Sequence, residues 1–128
     1  MKRIAVIFCI CCLLGGCSRQ ESAYRVVTAV EVRYQHGENT LERNYTRDEN
    51  ITAILNYLRL LKPYGPVNPG ETEDITCRIT LRYSQGPDTV YTQLGYDYLQ
   101  KNNEHWTKID NTRAGLLYPL LLLTPSDT

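Results

Sequence analysis

Val30-Glu31-Val32-Arg33-Tyr34-Gln35-His36-Gly37 and, 49 residues further on, Ile79-Thr80-Leu81-Arg82-Tyr83-Ser84-Gln85-Gly86 are two versions of one pattern. In each, aliphatic and polar residues alternate, and Arg-Tyr leads to a glycine turn. Alternation with period two is the mark of a strand with one buried and one solvated face. The echo widens to Thr40-Leu41 against Thr89-Val90, so each copy reads as a hairpin.

Working outward, Val26 to Tyr34 and Thr40 to Tyr45 form the first hairpin, with a loop of four or five residues around Gly37. Thr46-Arg47-Asp48-Glu49 has the composition of a capping box, and Ile51, Ile54, Leu55, Leu58 and Leu61 follow at helical spacing. This predicts a helix over Arg47 to Leu61, ended by Pro63. The segment from Lys62 to Asp74, with three prolines and two glycines, reads as an extended, exposed connector. The second hairpin alternates Cys77, Ile79, Leu81 and Tyr83 with Thr76, Arg78, Thr80 and Arg82, and returns over Thr89 to Leu94.

Gly95 marks a bulge or a change of direction. Tyr96–Leu99 and His105–Ile109 read as a further strand pair. Asp110 or Thr112 is placed to cap a last helix carrying Ala114, Leu117, Leu121 and Leu122, which Pro119 should bend or stop. The fold class expected is α+β. An antiparallel sheet of about four to six strands carries two helices on one face, as a degenerate tandem of β-β-α units. Glu31, Arg33, Arg78, Thr80 and Arg82 then belong to the solvated face.

The start of the chain is different in kind. Lys2 and Arg3 precede thirteen uncharged residues, Ile4 to Gly16, and the run closes on Leu14-Gly15-Gly16-Cys17. A basic start, an apolar stretch of ~7–15 residues and small residues before a cut describe a secretory signal. The run is shorter than the ~20 residues a membrane-spanning helix needs.

Leu14-Gly15-Gly16-Cys17 resembles the lipobox of bacterial lipoproteins. The resemblance implies that residues 1–16 are removed, that Cys17 carries the lipid (a diacylglyceryl thioether, with acyl chains such as palmitate), and that residues 17–24 form a short tether. Residues 25–128 are then a single small domain, a size that suits one core. From Ser18 to Ala23 the tether spans at most ~20 Å. Such a protein would sit on the extracytoplasmic face of the cell membrane, or on the outer membrane in a cell with two. Beyond the leader, the sequence resembles no family of known function.

Cysteine use agrees with this reading. Cys9, Cys11 and Cys12 leave with the leader, so only Cys17 and Cys77 remain. A lipidated Cys17 leaves Cys77 as a small buried hydrophobe; a Cys17–Cys77 disulfide is the alternative.

Removing Lys2 and Arg3 leaves twelve basic against fourteen acidic residues. There is no basic excess to suggest nucleic acid. No zinc-type Cys/His spacing, phosphate loop or nucleophile elbow occurs, so no catalytic residues, cofactor or metal are expected. Glu71, Glu73 and Asp74 read as a solvated acidic segment. Clustering of His105 with Asp97, Glu104 or Asp110 in a cleft would instead indicate an enzyme.

All ten tyrosines lie after Cys17, with Trp106. Tyr91, Tyr96, Tyr98, His105 and Trp106 form the candidate binding surface, or else rings covering the end of a small core. The function expected is a membrane-anchored, non-catalytic binding or interaction module of the cell envelope, with a protein, peptide or glycan partner. The alternative is an envelope hydrolase or an inhibitor of an envelope enzyme.

Overall fold

The structure is a computed structural model that describes residues 26–127. The leader, Cys17 and the tether at 17–24 lie outside the described residues. Nine elements follow in order: β1 (Val27–His36), β2 (Asn39–Tyr45), α1 (Asp48–Leu60), β3 (Ile75–Tyr83), β4 (Thr89–Leu94), β5 (Tyr98–Lys101), β6 (Trp106–Lys108), α2 (Asn111–Ala114) and α3 (Leu117–Leu123). The strands make one antiparallel sheet in the order β2-β1-β3-β4-β5-β6. The fold is α+β, with the helices on one side of the sheet.

Alternation does what it predicts in the two central strands. Val30, Val32 and Tyr34 of β1 and Cys77, Ile79 and Leu81 of β3 are buried, while Arg33, Arg78 and Arg82 are exposed. The register pairs Val32 with Ile79 and Tyr34 with Cys77. It also places Glu31 opposite Thr80, its own counterpart in the echo. The two hairpins are thus related by an approximate two-fold axis between those residues, as a tandem of hairpins would be. Their turns differ. His36 pairs with Asn39, so the first turn holds only Gly37 and Glu38, shorter than the expected loop. Gly37 takes φ 60°, the positive-first pattern that lets a hairpin close in two residues.

The helix side of the core is built by Ile51, Ile54 and Tyr57 from α1, by Leu61 just after it, by Ala114, and by Leu117 and Leu121 from α3. Each fully buried large aliphatic side chain contributes ~1.5–3 kcal/mol. Gly95, at φ 56°, turns the chain between β4 and β5, with Leu94 paired to Tyr98 across it. A Cβ there would lie 2.7 Å from Thr72 Cβ, so the turn admits only glycine. Tyr96 therefore sits in a turn rather than in a strand.

The last helix is divided. Asp110 caps α2, its Oδ1 accepting from the N–H groups of Thr112 (3.0 Å) and Arg113 (3.2 Å). Pro119 falls in the first turn of α3, where its missing N–H costs nothing. The break comes at Gly115–Leu116, because Pro119 could not donate to the Gly115 carbonyl of a continuous helix.

The cap of α1 departs from expectation. Arg47 is the N-cap residue and makes no side-chain cap bond. Glu49 instead lies 3.5 Å from the Arg47 guanidinium. The acceptor comes from far along the chain: Asp127 Oδ2 takes hydrogen bonds from the N–H of Thr46 (2.6 Å) and of Arg47 (2.8 Å), and its Oδ1 takes one from Asn50 (2.6 Å).

Both edges of the sheet are paired in part. Along β2, Asp127 N–H donates to the Asn44 carbonyl, and Asn44 N–H donates to Ser126 Oγ. Along β6, Tyr64 exchanges two backbone hydrogen bonds with Lys108, and Val67 N–H donates to the Trp106 carbonyl. The segment expected as a bare connector thus extends the sheet.

Candidate functional site

At the end of the sheet nearest the Gly37 turn lies a cleft of about 550 Å³, within the range of small-ligand sites. Four separate parts of the chain build it. β1 supplies Tyr34 and His36, and β2 supplies Asn39, Thr40 and Leu41; Tyr96 comes from the β4–β5 turn, and Gly115, Tyr118 and Pro119 from the start of α3.

Strand parity explains the floor. Tyr34 and Leu41 are directly paired and point to the helix side of the sheet. Tyr34 is buried, and its ring stands 5.3 Å from that of Tyr118 at an angle of 41°, a tilted pair. Tyr118 is 44 % exposed, so one ring is fixed and its neighbour is open to a ligand. Burial, then the neighbouring Tyr96, push the Tyr34 hydroxyl well above the ordinary tyrosine range, which keeps it a neutral group. The cleft thus offers ring faces with hydroxyl, imidazole and amide groups around them. That suits stacking and hydrogen bonding.

The five candidate residues occupy three places. Tyr96 lines the cleft just described. Tyr91 and His105 line a smaller hollow of about 320 Å³ beside Tyr64, Leu99, Lys101 and Glu104. Burial, then Tyr83 and Glu104, raise the Tyr91 hydroxyl above its usual pKa. Tyr98 and Trp106 are on the other face of the sheet. Tyr98 pairs with Lys108 and Trp106 with Gln100, whereas Leu99 and its partner Thr107 point to the core side. Lys108 Nζ stands 5.0 Å over the Tyr98 ring and 3.9 Å from Asp97.

His105 shares its hollow with Glu104, but Asp97 faces Lys108 and Asp110 caps α2. The clustering that would mark an acid–base pair around His105 is not formed by these aspartates. Among the described residues, no three His, Cys, Asp or Glu side chains are grouped to hold a metal ion. A polar hollow does collect Glu71, Glu73 and Asp97, with Tyr96 on its rim.

Cys77 lies fully buried in β3, and desolvation pushes its thiol up to about 12. It is a packed side chain and not a nucleophile. No described helix is long and apolar enough to cross a membrane. Comparison with family models, with curated proteins and with solved structures finds no match to this chain.

Tyr34, His36 and Tyr118 were not among the candidates read from the sequence. Tyr34 belonged to the first hairpin and Tyr118 to the last helix. Only the fold brings them to Tyr96.

Proposed function

We propose that this protein is a lipid-anchored, non-catalytic binding module of the bacterial cell envelope, and that the cleft between Tyr34, Tyr96 and Tyr118 receives its ligand. The observation that carries the reading is that cleft of about 550 Å³, with a buried ring in its floor and a half-open ring at its mouth. The ligand it suits is a sugar ring of an envelope glycan. One apolar face of a pyranose stacks on tyrosine, while its hydroxyls bond to Asn39, Thr40, His36 and the tyrosine hydroxyls. The anchor is the lipid on Cys17, on the strength of Leu14-Gly15-Gly16-Cys17 and the apolar run before it.

The test is titration of the folded chain with soluble envelope glycan fragments, followed by calorimetry and by chemical-shift changes at the cleft. Tyr118→Ala should weaken binding by roughly 3–10-fold, the loss of one stacking contact of ~0.5–1.5 kcal/mol. Because Tyr118 also packs on Tyr34, the melting temperature should fall by several degrees while the chain still folds. Shifts confined to Trp106 and Tyr98, with none at Tyr34 or Tyr96, would move the site to the opposite face and end this proposal.

A further inference from the structure

α3 presents two unlike sides. Leu117 and Leu121 are fully buried against the sheet, whereas Leu116, Leu122 and Leu123 are 56, 53 and 83 % exposed. No charged residue occurs from Ala114 to Ser126. Single exposed leucines are ordinary, but three on one short element with no charge among them make a patch that water does not favour.

The register fixes which way this patch lies. Tyr118 stacks on Tyr34; the Leu121 carbonyl accepts from Arg43 Nε (3.0 Å), and the Thr124 carbonyl accepts from Tyr45 hydroxyl (2.6 Å). Arg43 pairs with Val32 and Tyr45 with Val30, so α3 runs back along β1 toward its beginning. Leu122 and Leu123 are therefore displaced toward the end of the sheet where the chain enters at Val26. Val26 itself is 59 % exposed. Eight residues, 18–25, separate it from Cys17, a reach of at most ~29 Å.

We infer that Leu116, Leu122 and Leu123 of the α3 segment rest in the headgroup–acyl boundary of the bilayer to which Cys17 is tethered. This rests on the anchored reading above and adds an orientation to it. An apolar helix face lying in the interface is buried ~5–10 Å deep. The tether supplies the high local concentration of bilayer that so small a patch needs. The bilayer is favoured over a second copy of the chain because the tether holds it within reach, whereas a second copy would have to be recruited from solution onto so narrow a patch.

The chain from Cys17 onward, coupled through Cys17 to a maleimide-headgroup lipid in phosphatidylcholine vesicles, provides the test. Cys77 does not compete for the reagent, being fully buried. Trp106 is the only tryptophan and lies on the far face of the sheet. The Leu123→Trp chain with Trp106→Phe should shift to the blue on the vesicles and lose most of its emission to lipids brominated near the headgroup. The chain with Trp106 alone should show neither change. Equal quenching of both proteins, or of neither, overturns the orientation. A dimer of the Cys17→Ser chain in sedimentation, abolished by Leu116→Ser with Leu123→Ser, would assign the patch to a second copy and overturn it as well. Mass spectrometry of the chain from native membranes reports separately on the anchor: an unacylated Cys17 removes the anchored reading whatever the vesicles show.

Discussion

The hydroxyl of Tyr57 sits 2.5 Å from Gln93 Oε1 between α1 and β4, with both side chains buried. Gln93 in turn donates through Nε2 to the Gly95 carbonyl at 3.0 Å. The amide is thereby satisfied on both sides, and the turn that carries Tyr96 is tied to the core. Burial above all drives the Tyr57 pKa upward, so the hydroxyl remains a donor at any ordinary pH. Tyr57→Phe keeps the ring and removes the donor, which leaves Oε1 buried without this partner. It should cost ~1–3 kcal/mol in urea unfolding. A double variant, Tyr57→Phe with Gln93→Leu, should recover part of the loss, because neither polar group then remains. A strand was expected over Thr89 to Leu94, where β4 lies, but its faces were not assigned. Gln93 points inward and Leu94 outward, so the polar pattern of Thr89 to Leu94 is inverted exactly where Tyr57 needs an acceptor.

At the scale of elements, α1 was legible because its apolar stripe is local, and its cap was not because the cap is distant. Thr46 and Glu49 have the composition of a capping box, yet the Thr46 N–H that Glu49 would reach donates to Asp127, together with the N–H of Arg47. Desolvation works to raise the Asp127 carboxyl. The hydrogen bonds from Arg47, Thr46 and Asn50, with the charge of Arg47, outweigh it and hold the pKa below its ordinary 3.8. A carboxyl depressed on folding contributes stability that is present above the unfolded value and is lost as pH falls through the folded one. The urea midpoints of the native chain and Asp127→Asn should therefore differ by a constant amount above about pH 5 and converge at lower pH. A difference that persists unchanged into strong acid would mean the charge plays no part in the cap.

At the scale of the molecule, the echo of Arg33-Tyr34 in Arg82-Tyr83 was enough to read two hairpins with one buried face each, because period-two burial is written in consecutive residues, whereas the pairing of β1 with β3 is set by the fold. The cleft was not legible for the opposite reason. Tyr34 and His36, Tyr96, and Tyr118 come from three parts of the chain, and no stretch of sequence unites them. Tyr98 and Trp106 look like neighbours of Tyr91 and Tyr96 in the sequence, but the pleat turns them to the other face. The edge covers were hidden for a related reason, since a proline-rich stretch such as 62–74 has no periodicity even when its backbone pairs with a strand.

The reach of Asp127 also has a meaning in time. Its three partners lie 77 to 81 residues away along the chain, so this contact needs one of the longest loops in the fold to close before it repays anything. The nascent α1 forms without its cap, and the clasp closes only after the sheet exists. Contacts absent from the folding barrier act on escape from the native state, not on arrival at it. Asp127→Ala should leave the refolding rate in stopped flow almost unchanged and speed unfolding by the whole of its destabilisation; slower refolding would place the clasp in the nucleus. On this reasoning Asp127 is a latch on the lifetime of the folded domain.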